Sequence, residues 1–547
     1  MTKHKYTFAA LLASALAGNC GADVNYIWAN TSSDMNSASS YLLADGTTVS
    51  TAVPTRSDRI FFVGTPQAQP HLSSTLEVRS ICFGPIGSNG RTNAPAVATT
   101  EVMVFFDAED YTSDRPNDAL RDLCNLFHDE GFVVHIALAG YLAHEIERYG
   151  RKDVVEAMRP HLIGTQSMYH SLHPNIMEMS DGADYAAAYA RVYKQEKEAI
   201  ELIRRVTGRR PFFAVPPGAS KSYVAMDVYS DLGIKFYCDT VCARDEAGGD
   251  WFQGMRQFPY SNTFWIEALI PGQEGGIAGC KDDVLGINWT KALNELASRP
   301  RQIIFLHPCM AVNAEFWDSV NFMKGNFCEF GKWNVPRRRS AADTELYYAR
   351  IRELLRRIKA DGRFALTTLS EKAAAERHRS AIKRNDMSGF GALRCTGVYS
   401  VADVFQAAVA FLRDDSLREF RPGRTYGFLE KPYAIDRSVA LKTIDLRESA
   451  GRIDLSRHIP ASIDVGGTRI GPGDFLVAAL KALNGGHAPS KCPESVTISP
   501  SDPLADLDQF PRLRDFHPAG TWVFWPEYKD EFTSDRLRWQ LWTWRRE

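Results

Sequence analysis

The sequence predicts an α/β fold with a largely parallel sheet, and three observations predict it. From about residue 99 to 377, short apolar runs rich in β-forming residues alternate with amphipathic helical patterns, as a parallel α/β domain requires. One of these runs, Val102-Met-Val-Phe-Phe106, is apolar throughout, which suits a strand buried on both faces. It leads directly into Asp107, Glu109 and Asp110. Unpaired carboxylates cannot share that interior, so they mark the strand's carboxyl end, where barrels and open sheets both place their chemistry. A barrel and an open sheet both satisfy the pattern.

At the start of the chain, Lys3, His4 and Lys5 precede the apolar run Phe8 to Ala17, with small residues at Ala15, Ala17 and Ala22. The run is too short to span a bilayer, and residues 1–22 are expected to be a signal peptide. The mature protein is then secreted, periplasmic or held at the cell envelope, with no transmembrane segment; Cys20 makes a lipoprotein the lesser alternative. Residues 23–98 carry short β-prone bursts (Asn25 to Trp28, Ile60 to Val63, Leu76 to Phe83) between turn residues, a small β-rich module.

The central region is expected over 99–385. Asp118 to Glu130 has helical apolar spacing and stops at Gly131, a helix-ending glycine. Phe132 to Leu138 is a second buried strand. Helices follow over 141–149 and 154–158, a strand over 161–164 and a long helix over 183–206. Pro211 to Val215 is a further strand, closed by Pro216-Pro-Gly218. Then come a helix through Val228, a strand over 232–237, another over Gln302 to Leu306, a helix over 344–360 and a strand at Phe364. Residues 386–547 form an α+β accessory region. It has helices at 401–412 and 473–483, a Gly466-Gly467 hairpin signal, and a tryptophan-rich tail ending in Trp539, Trp542 and Trp544. Docking of that tail on its own domain and stacking on sugars are the two uses open to it.

Composition sets limits on function. With 64 basic and 66 acidic residues the net charge is −2, which gives no electrostatic case for a nucleic-acid partner or an anionic membrane surface. Ten cysteines are scattered without a paired metal-binding spacing, and most are expected as buried small hydrophobes.

Chemistry-bearing residues fall at the predicted strand ends: the acids Asp107, Glu109 and Asp110, the imidazoles His170 and His173, Pro216-Pro-Gly218, and His307 after an apolar strand. Imidazole nitrogen and carboxylate oxygen together suit zinc or another divalent ion. On an extended chain, residues two apart share a side, which favours Glu109 as the partner of Asp107.

In their order these motifs resemble those of the carbohydrate esterase family 4 (NodB-like) polysaccharide deacetylases. Phe106-Asp-Ala-Glu-Asp-Tyr111 is similar to the family's acidic motif, and Gly164-Thr-Gln-Ser-Met-Tyr-His-Ser-Leu-His173 to its metal-histidine motif. Arg210 to Gly218 is similar to the R-x-P-P motif, and Leu306-His-Pro308 to the late L-H motif. The resemblance implies a distorted (β/α) barrel carrying a metal-dependent deacetylase that acts on a polysaccharide or cell-wall glycan. It implies Asp107 as general base and His307 as general acid. A divalent ion, zinc foremost, would sit on Glu109, Asp110, His170 and His173, with Tyr111, Pro217 and Gly218 against the substrate. Three departures stand out. Gln166 sits where the first ligand histidine belongs, Val215 replaces an arginine, and Ala108 separates the acids. A non-catalytic glycan-binding protein on a degenerate barrel, and a glycosidase on a similar barrel, are the alternatives.

Overall fold

A computed structural model describes residues 99–546 except 183, 220–221, 239–249, 259–262, 275–276, 279–282, 323–325, 375–379, 391–397, 484–492 and 501–532, together with the backbone of four strands nearer the N-terminus. The signal-peptide expectation and the tail residues Trp522 to Tyr528 lie outside the described residues. The chain divides into two compact units, Met1–Thr99 and Thr100–Glu547. In the first, β1 (Asn25–Trp28) pairs antiparallel with β2 (Tyr41–Leu43) and parallel with β3 (Arg59–Val63), which pairs parallel with β4 (Ser80–Gly84). Among the described residues, no helix is long and apolar enough to cross a membrane.

The second unit is built on β5 (Thr100–Ala108), the nine-residue strand that carries the acids at its end. On one edge it pairs parallel with β6 (Val134–Leu138), and onward lie β7 (Leu162–Thr165), β8 (Phe213–Ala214), β9 (Phe236–Tyr237) and the hairpin of β10 (Trp251–Phe252) and β11 (Met255–Gln257). β13 (Arg301–Leu306) and β12 (Thr263–Trp265) extend the other side. All these pairs are parallel except the β10–β11 hairpin. Helices fill the connections: α1 (Arg115–Asp129), α2 (Gly140–Arg148), α3 (Lys152–Met158), α4 (Ile176–Ser180), α5 (Tyr185–Thr207), α6 (Tyr223–Asp231), α7 (Trp289–Leu296), α8 (Trp317–Asn321) and α9 (Ala341–Ala360). The α/β class and the element order match the sequence pattern. The pattern missed β10, β11 and β12, which are two or three residues long and too short to show a period, and it also missed the helices α4, α7 and α8.

Strand alternation divides the side chains into two sets. Val102, Val104 and Phe106 meet the helices through Leu120, Leu123 and Phe127 of α1 and Leu354 and Ile358 of α9. Met103 and Phe105 point the other way and pack with Ala137, Phe213, Phe236, Phe258, Ile303 and Phe305. That second cluster draws on strands from both sides of β5, and the Arg301 guanidinium of β13 lies 4.9 Å from the Phe258 ring beyond β11. A sheet whose inner face is filled by its own side chains is wrapped as a distorted barrel, not laid open between helices. Gly164 belongs to this packing, because a Cβ there would lie 2.4 Å from the Phe213 ring.

The barrel's lower end is plugged. β14 (Phe364–Leu366) pairs with the start of β5, and Leu369 and Ala373 of the following α10 (Leu369–Ala374) enter the inner cluster. His135 of β6 joins plug to wall. Its Nδ1–H donates to the Val104 carbonyl (2.8 Å), and its Nε2 accepts from the Leu369 amide (3.0 Å). The ring also stacks on Phe105 at 4.4 Å. Burial first of all pushes this imidazole down to about 4, so it stays neutral in the tautomer these bonds need.

Beyond residue 382 the chain forms α11 (Val401–Arg413), α12 (Thr443–Arg452), the expected Gly-Gly hairpin of Ile463–Val465 with Thr468–Ile470, and α13 (Pro472–Leu483). Their apolar faces merge into one core with Val192 and Ile200 of α5 and Val224 and Val228 of α6. Trp539, Trp542 and Trp544 are buried in that core, so the tail docks. His458 Nε2 lies 2.9 Å from Asp227 Oδ2 of α6, and Arg424 is paired with Asp231 of the same helix.

Replacing His135 with Leu leaves the buried Leu369 amide without its acceptor and removes the donor to Val104. The expected cost is roughly 2–4 kcal/mol, read as a lower urea midpoint for the tryptophan-monitored unfolding at neutral pH.

Candidate active site

The inward alternation of the barrel continues past its strand ends. Asp107 follows Phe105 by two residues, His307 follows Phe305 by two, and Gln166 follows Gly164 by two. These three side chains therefore enter one layer at the upper end, and Glu109 shares the parity of Asp107. Donor atoms of Asp107, Glu109 and His307 lie within 4.8 Å of one another. Gln166 Nε2 donates to Asp107 Oδ2 at 2.8 Å.

Glu109 is deeply enclosed, at 2% exposure. Its Oε1 accepts from the Trp317 indole at 3.0 Å, and its Oε2 lies 2.8 Å from His170 Nε2. His307 Nε2 approaches Oε1 at 3.8 Å. Burial would raise this carboxyl, but the charges of His170 and then His307 outweigh it and hold Glu109 below the ordinary carboxylate range. The protonation of His170 follows from its partners. Ser171 Oγ donates to Asp318 Oδ2 (2.7 Å), so it accepts from His170 Nδ1–H (2.6 Å) while Nε2–H faces Glu109. Both ring nitrogens therefore carry protons. Burial opposes that charge, yet Glu109 above all raises the His170 pKa.

Asp107 is governed mainly by burial, which lifts its carboxyl to about 7 against the pull of His307. His307 is raised to about 9: burial works against the charge, but Glu109, Glu267 and Asp107 favour it. Its backbone N–H and Nδ1 both reach Glu267 Oε1, at 2.7 and 3.0 Å. The cluster meets solvent at His307, beside Phe316 (ring centroids 4.5 Å apart) and the exposed Trp265 (6.0 Å).

The loop carrying His170 is held in an uncommon conformation. Ser167 (φ 63°) and His170 (φ 55°) are left-handed non-glycine residues, each a local cost of order 1 kcal/mol. Hydrogen bonds fix them: the His170 amide donates to Ser167 Oγ (3.1 Å), and the Gly140 and Tyr141 amides of α2 donate to the Ser167 and Met168 carbonyls. The Met168 amide donates to Glu196 Oε1 of α5 (3.2 Å), whose Oε2 takes the Tyr229 hydroxyl (2.9 Å).

Three sequence expectations need correcting. Asp110 does not join the cluster. Its Oδ1 accepts from the Thr112 amide and hydroxyl, and its Oδ2 from Asn313, because it has the opposite parity to Asp107 and Glu109. His173 is also drawn elsewhere. Its Nδ1 lies 2.8 Å from Glu178, the carboxylate that completes the Asn175 capping box of α4. Tyr111 is 1% exposed, with its hydroxyl on the Tyr169 carbonyl and its ring against Trp317, so it supports the wall and offers no surface to a substrate. Pro217 is buried in the short turn after β8, and Gly218 beside it is half-buried with φ 52°. That turn lies at the upper end of the barrel. Sequence reasoning missed Glu267, Ser171, and Trp317 and Asp318 at the start of the short α8, polar or aromatic residues whose type carries no positional signal.

No protein-family model matches the chain, and no curated protein resembles it in sequence. Solved structures do match in part. A carbohydrate esterase family 4 pseudoenzyme from Bacillus anthracis is 12% identical over 50% of this chain and 65% of its own, with a TM-score of 0.28. The catalytic domain of a peptidoglycan N-acetylglucosamine deacetylase from Eubacterium rectale is 11% identical over 50% and 90%, with a TM-score of 0.26. A 4-alpha-glucanotransferase from Thermococcus litoralis is 12% identical over 59% and 49%, with a TM-score of 0.35.

Glu196 yields a pH prediction with a fixed sign. Burial, its largest influence, raises its carboxyl to about 7. A carboxyl raised on folding favours the fold below its unfolded pKa, and that favour is lost as pH rises through the folded one. Glu196→Gln is therefore expected to gain on the wild type as pH climbs from the ordinary carboxylate range to about 7, by about 3 kcal/mol above it. Denaturant midpoints of both proteins at pH 4.5 and pH 8 measure the gap; a gap independent of pH rules the account out.

Proposed function

We propose that this chain is a hydrolase that removes N- or O-linked acetyl groups from a polysaccharide or cell-wall glycan outside the cytoplasm, with a divalent cation, zinc foremost, as cofactor. The observation that carries the proposal is the convergence of Asp107, Glu109 and His307 within 4.8 Å in a buried site. The donor set fits a cation. Two carboxylates and an imidazole are ligands that zinc accepts, and each is steadied from behind: Asp107 by Gln166, Glu109 by Trp317 and His170, His307 by Glu267. Such outer partners orient metal ligands. Charge argues the same way, because the three buried carboxylates Asp107, Glu109 and Asp318 have the two imidazoles His170 and His307 as close cationic partners. Buried carboxylates in excess favour a bound cation or added protons.

Glu109 and His307 would hold the ion, and Asp107, whose donor atom lies within 4.8 Å of theirs, would stand beside it as the base. When bound, a divalent cation makes water more acidic and polarises a carbonyl oxygen. Asp107 accepts the proton given up by the attacking water and returns it to the leaving nitrogen or oxygen. Gln166 fixes its Oδ2. Glu267 keeps a proton on His307 Nδ1 and leaves Nε2 facing Glu109. His170, locked through Ser171 to Asp318, keeps Glu109 ionised. Compared with the expectation from sequence, Asp107 remains the base, His307 moves from acid to ligand, and His170 moves from ligand to partner of a ligand. Export is supported by the leader-like residues 1–22.

A glycan-binding protein without catalysis is the second possibility, favoured by one feature. The charge of Glu109 already has a close cationic neighbour in His170 and a donor in the Trp317 indole, so it is met without an ion.

Acetate and reducing ends released from acetylated chitin oligosaccharides, acetylxylan and peptidoglycan fragments, together with the metal content of the purified chain, separate these cases. The expected result is acetate without reducing ends, about one ion per chain lost in His307→Ala, and an Asp107→Ala rate lower by roughly 100-fold or more. Absence of both acetate and ion leaves glycan binding; release of reducing ends makes the protein a glycosidase.

A further inference from the structure

At the lower end of the barrel, opposite Asp107, a cleft of about 590 Å³ opens between the starts of β8 and β9, the β10–β11 hairpin and residues 421–424. Among the described residues, every charged residue lining it is basic: Lys235, Arg421, Arg424 and Arg545. Cations gathered around one concavity repel one another and focus a positive potential into it. Two of them are partly answered, Arg424 by its pair with Asp231 and Arg545 by the face of Trp251, 4.2 Å from the ring centre. Lys235 and Arg421 are exposed, and among the described residues neither side chain makes an ion pair or hydrogen bond. Trp251 and Phe236 give the same cleft an aromatic wall.

We propose that this cleft binds an anionic sugar unit, with its carboxylate or phosphate against Lys235 and Arg421 and its ring along Trp251 and Phe236. Three features select that ligand class. The volume suits a small molecule of one or two rings. An exposed guanidinium beside an ammonium recognises an oxyanion through charge-assisted hydrogen bonds. The aromatic wall rewards a ligand with an apolar face and gives a bare inorganic anion nothing. The site is separate from the hydrolytic chemistry, since it lies at the amino ends of β8 and β9 whereas the acids lie at the carboxyl end of β5.

Equilibrium binding to the full chain, followed by calorimetry and tryptophan fluorescence, tests this with glucuronate, glucose 6-phosphate, inorganic phosphate and glucose. Saturable binding of glucuronate or glucose 6-phosphate is expected, weakened by salt. Whichever binds tighter identifies the anion as carboxylate or phosphate. Lys235→Glu and Arg421→Glu should each weaken it by roughly tenfold or more, with unchanged thermal melting and unchanged acetate release at the upper site. Three results overturn the proposal: no saturable binding of either anionic sugar, affinity unmoved by both substitutions, or inorganic phosphate binding as tightly as both sugars.

Discussion

Glu109 lies at the top of the barrel's central strand with one oxygen on an indole and the other on a doubly protonated imidazole. A carboxylate buried this deeply persists only if its charge is met at close range. Much of the surrounding architecture serves that need. The left-handed loop brings His170 in, Ser171 and Asp318 fix its protons, and α8 delivers both Trp317 and Asp318. The neighbours respond in turn. With Glu109 ionised beside them, Asp107 and Asp318 are held toward their protonated forms, burial being the main cause in each, while His307 is held toward its charged one. The site is thus a set of coupled titrating groups around one fixed negative charge, the arrangement expected where protons are to be moved.

The sequence displayed this only as far as its periodicities reach. The apolar run of β5 and the two-residue alternation placed Asp107 and Glu109 on one side, and the same count from Phe305 places His307 with them. Gln166 was visible as a departure from a histidine motif, and the structure shows what it does instead, donating to Asp107. Spacing misleads at His173 and Asp110. Both sit in loops, where no period applies and the nearest strong partner wins: the helix-capping Glu178 for one, Thr112 and Asn313 for the other. Glu267, Trp317 and Asp318 come from 158 to 209 residues downstream of Glu109 by their positions in the chain. Nothing local marks them, because their role exists only once β12 and β13 have joined the sheet beside β5.

The two ends of the barrel divide the work. The upper end collects carboxylates, whose mutual repulsion is relieved by protons and imidazolium. The lower end is closed by α10 through a neutral histidine, and it gathers lysine and arginine around the cleft outside the plug. Between them lies the apolar inner cluster of Met103, Phe105, Phe213, Phe236, Ile303 and Phe305, low-dielectric material that screens charge poorly.

The buried tail sets the order of assembly. Arg545 bridges to Trp251 of the edge hairpin through two backbone hydrogen bonds, and Trp542 packs between Phe405 of α11 and Phe428. A ribosome releasing the chain from its N-terminus has already exposed the helices of that core long before these indoles emerge. Until these indoles emerge those surfaces stay uncovered, so this core closes late, after a window in which chaperones and proteases compete for it.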